Sequence, residues 1–196
     1  MANANRPSGL SPVNHLDGDW NGVARTYCIL AADTNAYAIG DPVISAGNGD
    51  SNGVPAVTLA AATGALRGVI VGLGTSEGGI FNPNNLNSTI RPSGAQSTNW
   101  YALVVDNPQA IFEVQEVSGG TQLSATSIGL NTNLVVGTNN GYQSGWQLDN
   151  ATVGTTATLQ CRILGLARKP ENAFGAYAKW LVLINNHELH AGTAGI

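Results

Sequence analysis

The sequence predicts an all-β protein, built as a single antiparallel β-sandwich or barrel. Short runs with alternating or continuous apolar character recur along the chain, and Gly, Asn and Pro clusters punctuate them. No stretch carries the 3.6-residue period of an amphipathic helix. Taken in order, residues 24–31 read as a first strand, turned by Asp33-Thr34-Asn35. A short piece over 42–45 follows, and Asn48-Gly49 and Asn52-Gly53 mark a tight connection before a strand at 56–59. Residues 66–72 form another strand, in which Gly68 implies a bulge or a close backbone approach. Residues 74–96, rich in Gly, Asn, Pro and Ser, form a long loop expected to reach a neighbouring molecule, since loops beyond about 15 residues are usually functional or disordered.

Residues 99–117 carry the strongest pattern, a hairpin joined at Asp106-Asn107-Pro108. Its first strand is apolar on both faces, whereas its second alternates Ala110, Phe112 and Val114 with Glu113 and Gln115, the signature of one wet face. Pro108 lacks an N–H and breaks the ladder where the chain reverses. Short strands at 133–136 and 145–148 frame Asn139-Asn140-Gly141. Residues 156–166 form a long strand with Ala157, Leu159, Cys161 and Ile163 inward and Thr158, Gln160 and Arg162 outward. Residues 170–177 have room for one helical turn, with Pro170 at its start. A last strand at 179–185 is apolar on both faces. Such a strand must meet a second sheet or another subunit, so Trp100, Tyr101 and Trp180 become candidate residues of an oligomer seam.

The chain divides into an extended N-terminal arm (1–22), a β domain (23–186) carrying the 74–96 loop, and a mobile C-terminal tail (187–196) in which Leu189 and Ile196 are free to dock on a partner. The arm holds three glycines and two prolines with almost no apolar periodicity, and is ordered only by what it lies against. If it clamps a partner, Leu10, Val13 and Leu16 are its apolar anchors and Trp20 its hot spot. At 196 residues a single β domain buries roughly 70% of its unfolded surface and needs neither metal nor disulfide. Cys28 and Cys161, flanked by apolar strand residues, are expected as buried free thiols, with a disulfide between them as the alternative.

Only 10% of the residues are charged, against about 25% in ordinary domains. A surface of Ser, Thr, Asn, Gln, Gly and Ala repels neighbours poorly and suits a protein packed against others. A net charge of −4 with eight scattered Lys and Arg leaves no basic stripe for nucleic acid, and no run is long enough for a membrane helix. The opening MANANRPSGLSPV lacks the basic-then-apolar plan of a secretory signal, so synthesis and use without export are expected.

Motifs for chemistry are incomplete. Residues 69–74 resemble the start of a dinucleotide fingerprint, but Gly78 falls one place late and Ile80-Phe81-Asn82-Pro83 opens no helix. Asp17, Asp19, Asn21 and Gly22 match half of a calcium loop, whose bidentate glutamate position is Cys28; a weak cation at Asp17 and Asp19 stays open. His187 and His190 lack zinc-protease spacing, and His15 sits in the arm. Glu113 and Glu116 face opposite sides of a strand and make no acid–base pair. The sequons at Asn87 and Asn150 read as chance without export. No catalytic, cofactor-binding or metal residue is therefore assigned, and an enzyme is not expected.

Residues 2–13 and 17–22 resemble structural proteins of tailed bacteriophages that decorate or cement the capsid. The likeness continues through Thr34-Asn35-Ala36-Tyr37-Ala38-Ile39-Gly40-Asp41-Pro42-Val43, residues 68–72, Asp106-Asn107-Pro108, residues 112–116, residues 162–166 and residues 179–185. The resemblance implies a jelly-roll-like fold, or a tulip-like barrel, oligomerising as a dimer or trimer. It implies a structural protein without cofactors that bridges subunits of the major capsid protein on the outer virion surface and is made in the host cytoplasm. The rival is a carbohydrate-binding sandwich with Trp100, Tyr142 or Trp146 on an exposed platform; a hydrolase is weaker, for want of a nucleophile and base.

Overall fold

The computed structural model describes residues 3–77, 80–81, 88–192 and 194–195. Its strands, in chain order, begin with β1 (Ser11–His15), β2 (Gly18–Asp19), β3 (Arg25–Ile29), β4 (Tyr37–Ala38), β5 (Pro42–Gly49), β6 (Pro55–Leu59), β7 (Gly68–Glu77) and β8 (Ile80–Phe81). They continue with β9 (Ile90–Arg91), β10 (Trp100–Val105), β11 (Ala110–Gln115), β12 (Asn131–Thr132), β13 (Leu134–Val135), β14 (Gln147–Leu148), β15 (Cys161–Leu166) and β16 (Lys179–Ile184). The chain is all-β, as expected, and contains a closed five-stranded barrel. The barrel runs β10-β3-β6-β5-β7 and closes because β10 pairs with both β3 and β7. A second sheet runs β12-β15-β16-β11-β1-β2. Pairing between the named strands is antiparallel, except between β3 and β6, which meet in parallel at Cys28 and Ala56.

Period-two alternation explains two large cores and a small third cluster of Cys28, Ala56 and Tyr101 on the outside of the barrel wall. Tyr27, Ile29, Val43, Val57, Ile70, Leu73, Trp100, Ala102 and Val104 point into the barrel and fill it. Phe112, Val114, Trp180, Val182, Cys161 and Ile163 form the inner face of the second sheet and pack on Leu66, Val69 and Val105 of the barrel wall. Gly68 starts β7 where a Cβ would collide with the carbonyl of Val105, which is the close backbone approach its position implies.

Residues 99–117 do not form a hairpin. β10 lies in the barrel while β11 pairs with β1 and β16 in the second sheet, and the turn between them carries the chain from one layer to the other. Asn107 shapes that turn, its carbonyl accepting from Ala110 N at 3.0 Å and its side chain from Gln109 N at 2.9 Å. Asp106 is tied to the barrel side: it accepts from Tyr27 Oη at 2.6 Å, and Arg67 Nε donates to the same Tyr27 oxygen at 2.8 Å. Burial, then the adjoining Asp106, push the Tyr27 hydroxyl above its usual pKa.

The segment read as an arm is built into the domain. β1 pairs with β11 from Ser11 opposite Glu113 to His15 opposite Ala110, and doubles back on β2 through a turn at Leu16-Asp17. The tail is docked as well. Leu66 N donates to Asn186 O at 2.8 Å, Glu188 N to Leu66 O at 2.9 Å, and His187 is buried, its imidazole pushed below its usual pKa mainly by desolvation. Ile196 and Gly78 lie outside the described residues, as do residues 82–87 of the long loop, Asn87 of the first sequon among them.

Two local expectations also change. The helical turn over 170–177 is absent, since the Asn172 side chain takes the carbonyls of Ala167 and Lys179 and the N–H of Lys179, each at 2.8 Å, fixing a turn instead. Only Cys161–Leu166 of the 156–166 run is strand. Gln160 is fully buried because its amide serves two chain segments, accepting from Leu134 N and donating to Ala61 O, both at 3.0 Å. The expected strands near 134 and 148 are present and pair as β13 and β14. Both cysteines are free and buried, burial raising the Cys28 thiol to about 11 and that of Cys161 to about 12.

Glu116, just beyond β11, is fully buried under the second sheet, where its Oε2 accepts from Trp180 Nε1 at 2.9 Å and Leu123 N at 3.3 Å while Oε1 has no partner. Desolvation outweighs those bonds and raises its carboxyl from 4.5 to about 7. The fold therefore prefers the protonated form: its contribution to stability is whole below pH 4.5 and is lost as pH rises through about 7. Glu116→Gln is expected to flatten this dependence. In urea titrations the variant should gain on the wild type between pH 5 and pH 8.5, by up to about 3 kcal/mol at roughly 1.4 kcal/mol per pKa unit. A constant difference across that range would refute the assignment.

Candidate functional site

The outer face of the second sheet is its one broad surface turned away from the barrel. Along β16 burial alternates, with Trp180, Val182 and Ile184 inside and Lys179, Leu181 and Leu183 half-buried outside. Register places Ile111 and Arg162 on either side of Leu183, and Glu113 beside Leu181. Ile111, Leu181 and Leu183 belong to neither core. They form an apolar stripe across the two central strands, with half-buried Leu164 at a bulge in β15. Val13 (43% exposed) and Leu16 (58%) extend it along the edge. At one end lies a cleft of about 220 Å³ lined by Leu16, Pro108, Leu183 and His190.

At the other end the stripe turns polar. Glu113 and Gln115 were expected on a wet face, yet they are 7% and 2% exposed. Residues 3–6 and the loop before β16 cover them: Gln115 Nε2 donates to Ala4 O at 2.7 Å and Tyr177 O at 3.0 Å, while its Oε1 accepts from Arg6 N at 3.1 Å. Glu113 lies 2.7 Å from Lys169 Nζ and 3.5 Å from Lys179 Nζ. Glu113 and Gln115 are thus each covered by partners that bond them.

The residues singled out from sequence fall into two groups. Val13 and Leu16 are exposed beside the stripe. Leu10 is 1% exposed inside the chain's own core and is closed to a partner, while Trp20 packs half-buried against that core. Trp100 fills the barrel, Tyr101 is buried on its wall against Cys28 and Ala56, and Trp180 is fully buried beneath the second sheet. None of these three reaches a seam. Their apolar surroundings are internal: the barrel core for Trp100, the core between the layers for Trp180, and a small third cluster with Cys28 and Ala56 for Tyr101. Of the aromatic platform only Tyr142 is exposed, at 70%, since Trp100 and Trp146 are buried.

Asp17 is exposed in the β1–β2 turn, 3.9 Å from His15 Nδ1, and no group of three His, Cys, Asp or Glu placed to hold a metal occurs among the described residues. Sequence reasoning missed the stripe residues Ile111 and Leu183, although the doubly apolar pattern of 179–185 was the signal for them. It also missed Arg91, which is fully buried and donates at 2.6 Å to the carbonyls of both Asn35 and Asp33, pinning the loop before β4. No family model, curated protein or solved structure matches the chain.

Proposed function

We propose that this protein is a non-enzymatic structural component of a virion that decorates the capsid, seating the outer face of its second sheet on subunits of the major capsid protein. The observation that carries this reading is the half-buried apolar stripe of Ile111, Leu181 and Leu183 on the outer sheet face, flanked by exposed Val13 and Leu16. Grouped apolar side chains that stay partly open to solvent mark interaction surfaces, and a sheet face offers area and shape rather than reactive groups. The low charge of the whole surface and the resemblance of residues 2–13, 106–108 and 179–185 to decoration proteins support the same reading. The protein would act on the outer capsid surface as a dimer or trimer, after synthesis in the host cytoplasm.

Replacing Leu181 and Leu183 together by Asp tests it. Both side chains point away from the core, so the variant is expected to keep its thermal unfolding midpoint within a few degrees. Its co-sedimentation with undecorated capsid shells is expected to weaken at least about tenfold, since burying an unpaired carboxylate in an interface costs more than 1.4 kcal/mol. Undiminished co-sedimentation of the folded variant would remove the stripe from the interface.

A further inference from the structure

At the polar end of the second sheet, residues 3–6, β16 and the loop before it enclose a cleft of about 380 Å³, within the usual range of small-molecule sites. Its walls are fixed by amides whose bonds are internal. Asn3 donates to the carbonyls of Ala173 and Ala176 at 2.8 and 3.0 Å and accepts from Ala173 N at 3.0 Å. Asn172 locks the loop to β16, and Gln115 joins Ala4, Arg6 and Tyr177 from beneath.

Its charges are not balanced in the same way. Both lysines of the chain, Lys169 and Lys179, line the cleft and share the single buried carboxylate of Glu113. Arg6 adds a third cation, and its guanidinium has no hydrogen-bond or ion-pair partner among the described residues. The one further acid in the lining, Glu171, is exposed. A cationic centre gathered on a chain of net charge −4 is not what general composition supplies.

Backbone strain marks the same place. Tyr177 has φ of 63°, the sole left-handed residue other than glycine among the described residues, and its carbonyl is held by Gln115 in the cleft wall. Such strain in a bulky residue persists only where surrounding structure enforces it, and it concentrates at binding sites.

We infer that this cleft is a carboxylate-binding site in which Arg6 and Lys169 grip the anion, with Lys179 adding charge and Tyr177 forming the wall. A guanidinium fork matches the two oxygens of a carboxylate, and the preformed walls spare the ordering cost of binding. The carboxylate has two sources, a free polycarboxylate or an acidic peptide, and both present the same oxygens to Arg6. The inference does not depend on capsid binding.

The test is amide NMR titration of the full chain with citrate and, separately, with an acetylated triglutamate amide, inorganic phosphate serving as the comparison anion. Saturable shifts at Arg6 and Tyr177 are expected with at least one carboxylate, the tighter one identifying the source. Arg6→Gln and Lys169→Gln are each expected to weaken that binding about tenfold, the effect of losing one charge-assisted contact. Arg6→Gln leaves the Glu113 pairs intact and is expected to fold, as unchanged signals from the barrel would show. Absence of shifts with both carboxylates, equal or tighter binding of phosphate, or full binding by the folded Arg6→Gln variant would overturn the site.

Discussion

Trp180→Ala is expected to lower the unfolding free energy by about 3–5 kcal/mol, the range for deleting a large aromatic from a packed core. Trp180 is fully buried among Phe112, Val114, Cys161 and Ile163, and its Nε1 donates to Glu116. Truncation opens a cavity and strips the buried Glu116 carboxyl of one of its two donors, so the two penalties fall on one site. Since single domains are stable by only about 5–15 kcal/mol, the variant should be largely unfolded well below the wild-type melting temperature, as circular dichroism would show. A variant that melts normally but fails to self-associate would return Trp180 to an oligomer seam and contradict its place in the core.

Removing residues 2–22 is expected to be at least as damaging. The deletion takes away Leu10 from the core, the β1 ladder on β11, the half-buried Trp20, and the covering of Gln115 by Ala4 and Arg6. Loss of Leu10 alone is worth about 2–5 kcal/mol, and an uncovered edge on β11 is open to aggregation. The truncated chain should therefore be protease-sensitive and poorly soluble. A detachable arm would behave differently, leaving a stable domain with an unchanged urea midpoint.

What the sequence made legible was local. β10, β11 and β16 follow their apolar patterns to within a residue, and Gly68 announces the approach of Val105. Partner choice was not legible, because β11 meets β1 across about 100 residues of chain and β16 across about 70, while the nearby β10 belongs to another layer. A turn such as Asp106-Asn107-Pro108 permits either a hairpin or a crossing, and only the competition between two cores decides. Buried polar residues were misplaced for a related reason. Gln115, Gln160 and Glu113 read as solvent-facing because alternation assumes that polar means wet, yet each is inside and bonded to distant segments.

The candidate site was half legible. The doubly apolar pattern of 179–185 pointed to a surface needing cover; Val13 and Leu16, read as anchors in a separate arm, are exposed, whereas Leu10, Trp100, Tyr101 and Trp180 are buried and Trp20 is half-buried against the core. The cation cluster left no mark in the sequence, since Arg6 and Lys179 are separated by nearly the whole chain and meet through the bonds of Gln115 and Asn3 and the pairing of β11 with β16.

Electron imaging of undecorated capsid shells mixed with the purified protein is the most direct measurement. Added density is expected on the shell exterior, oriented with Ile111, Leu181 and Leu183 against the capsid subunits and the barrel outward. Shells that gain no density at saturating protein, or density that meets the shell through the barrel with the stripe facing solvent, would contradict the proposed role of the second sheet.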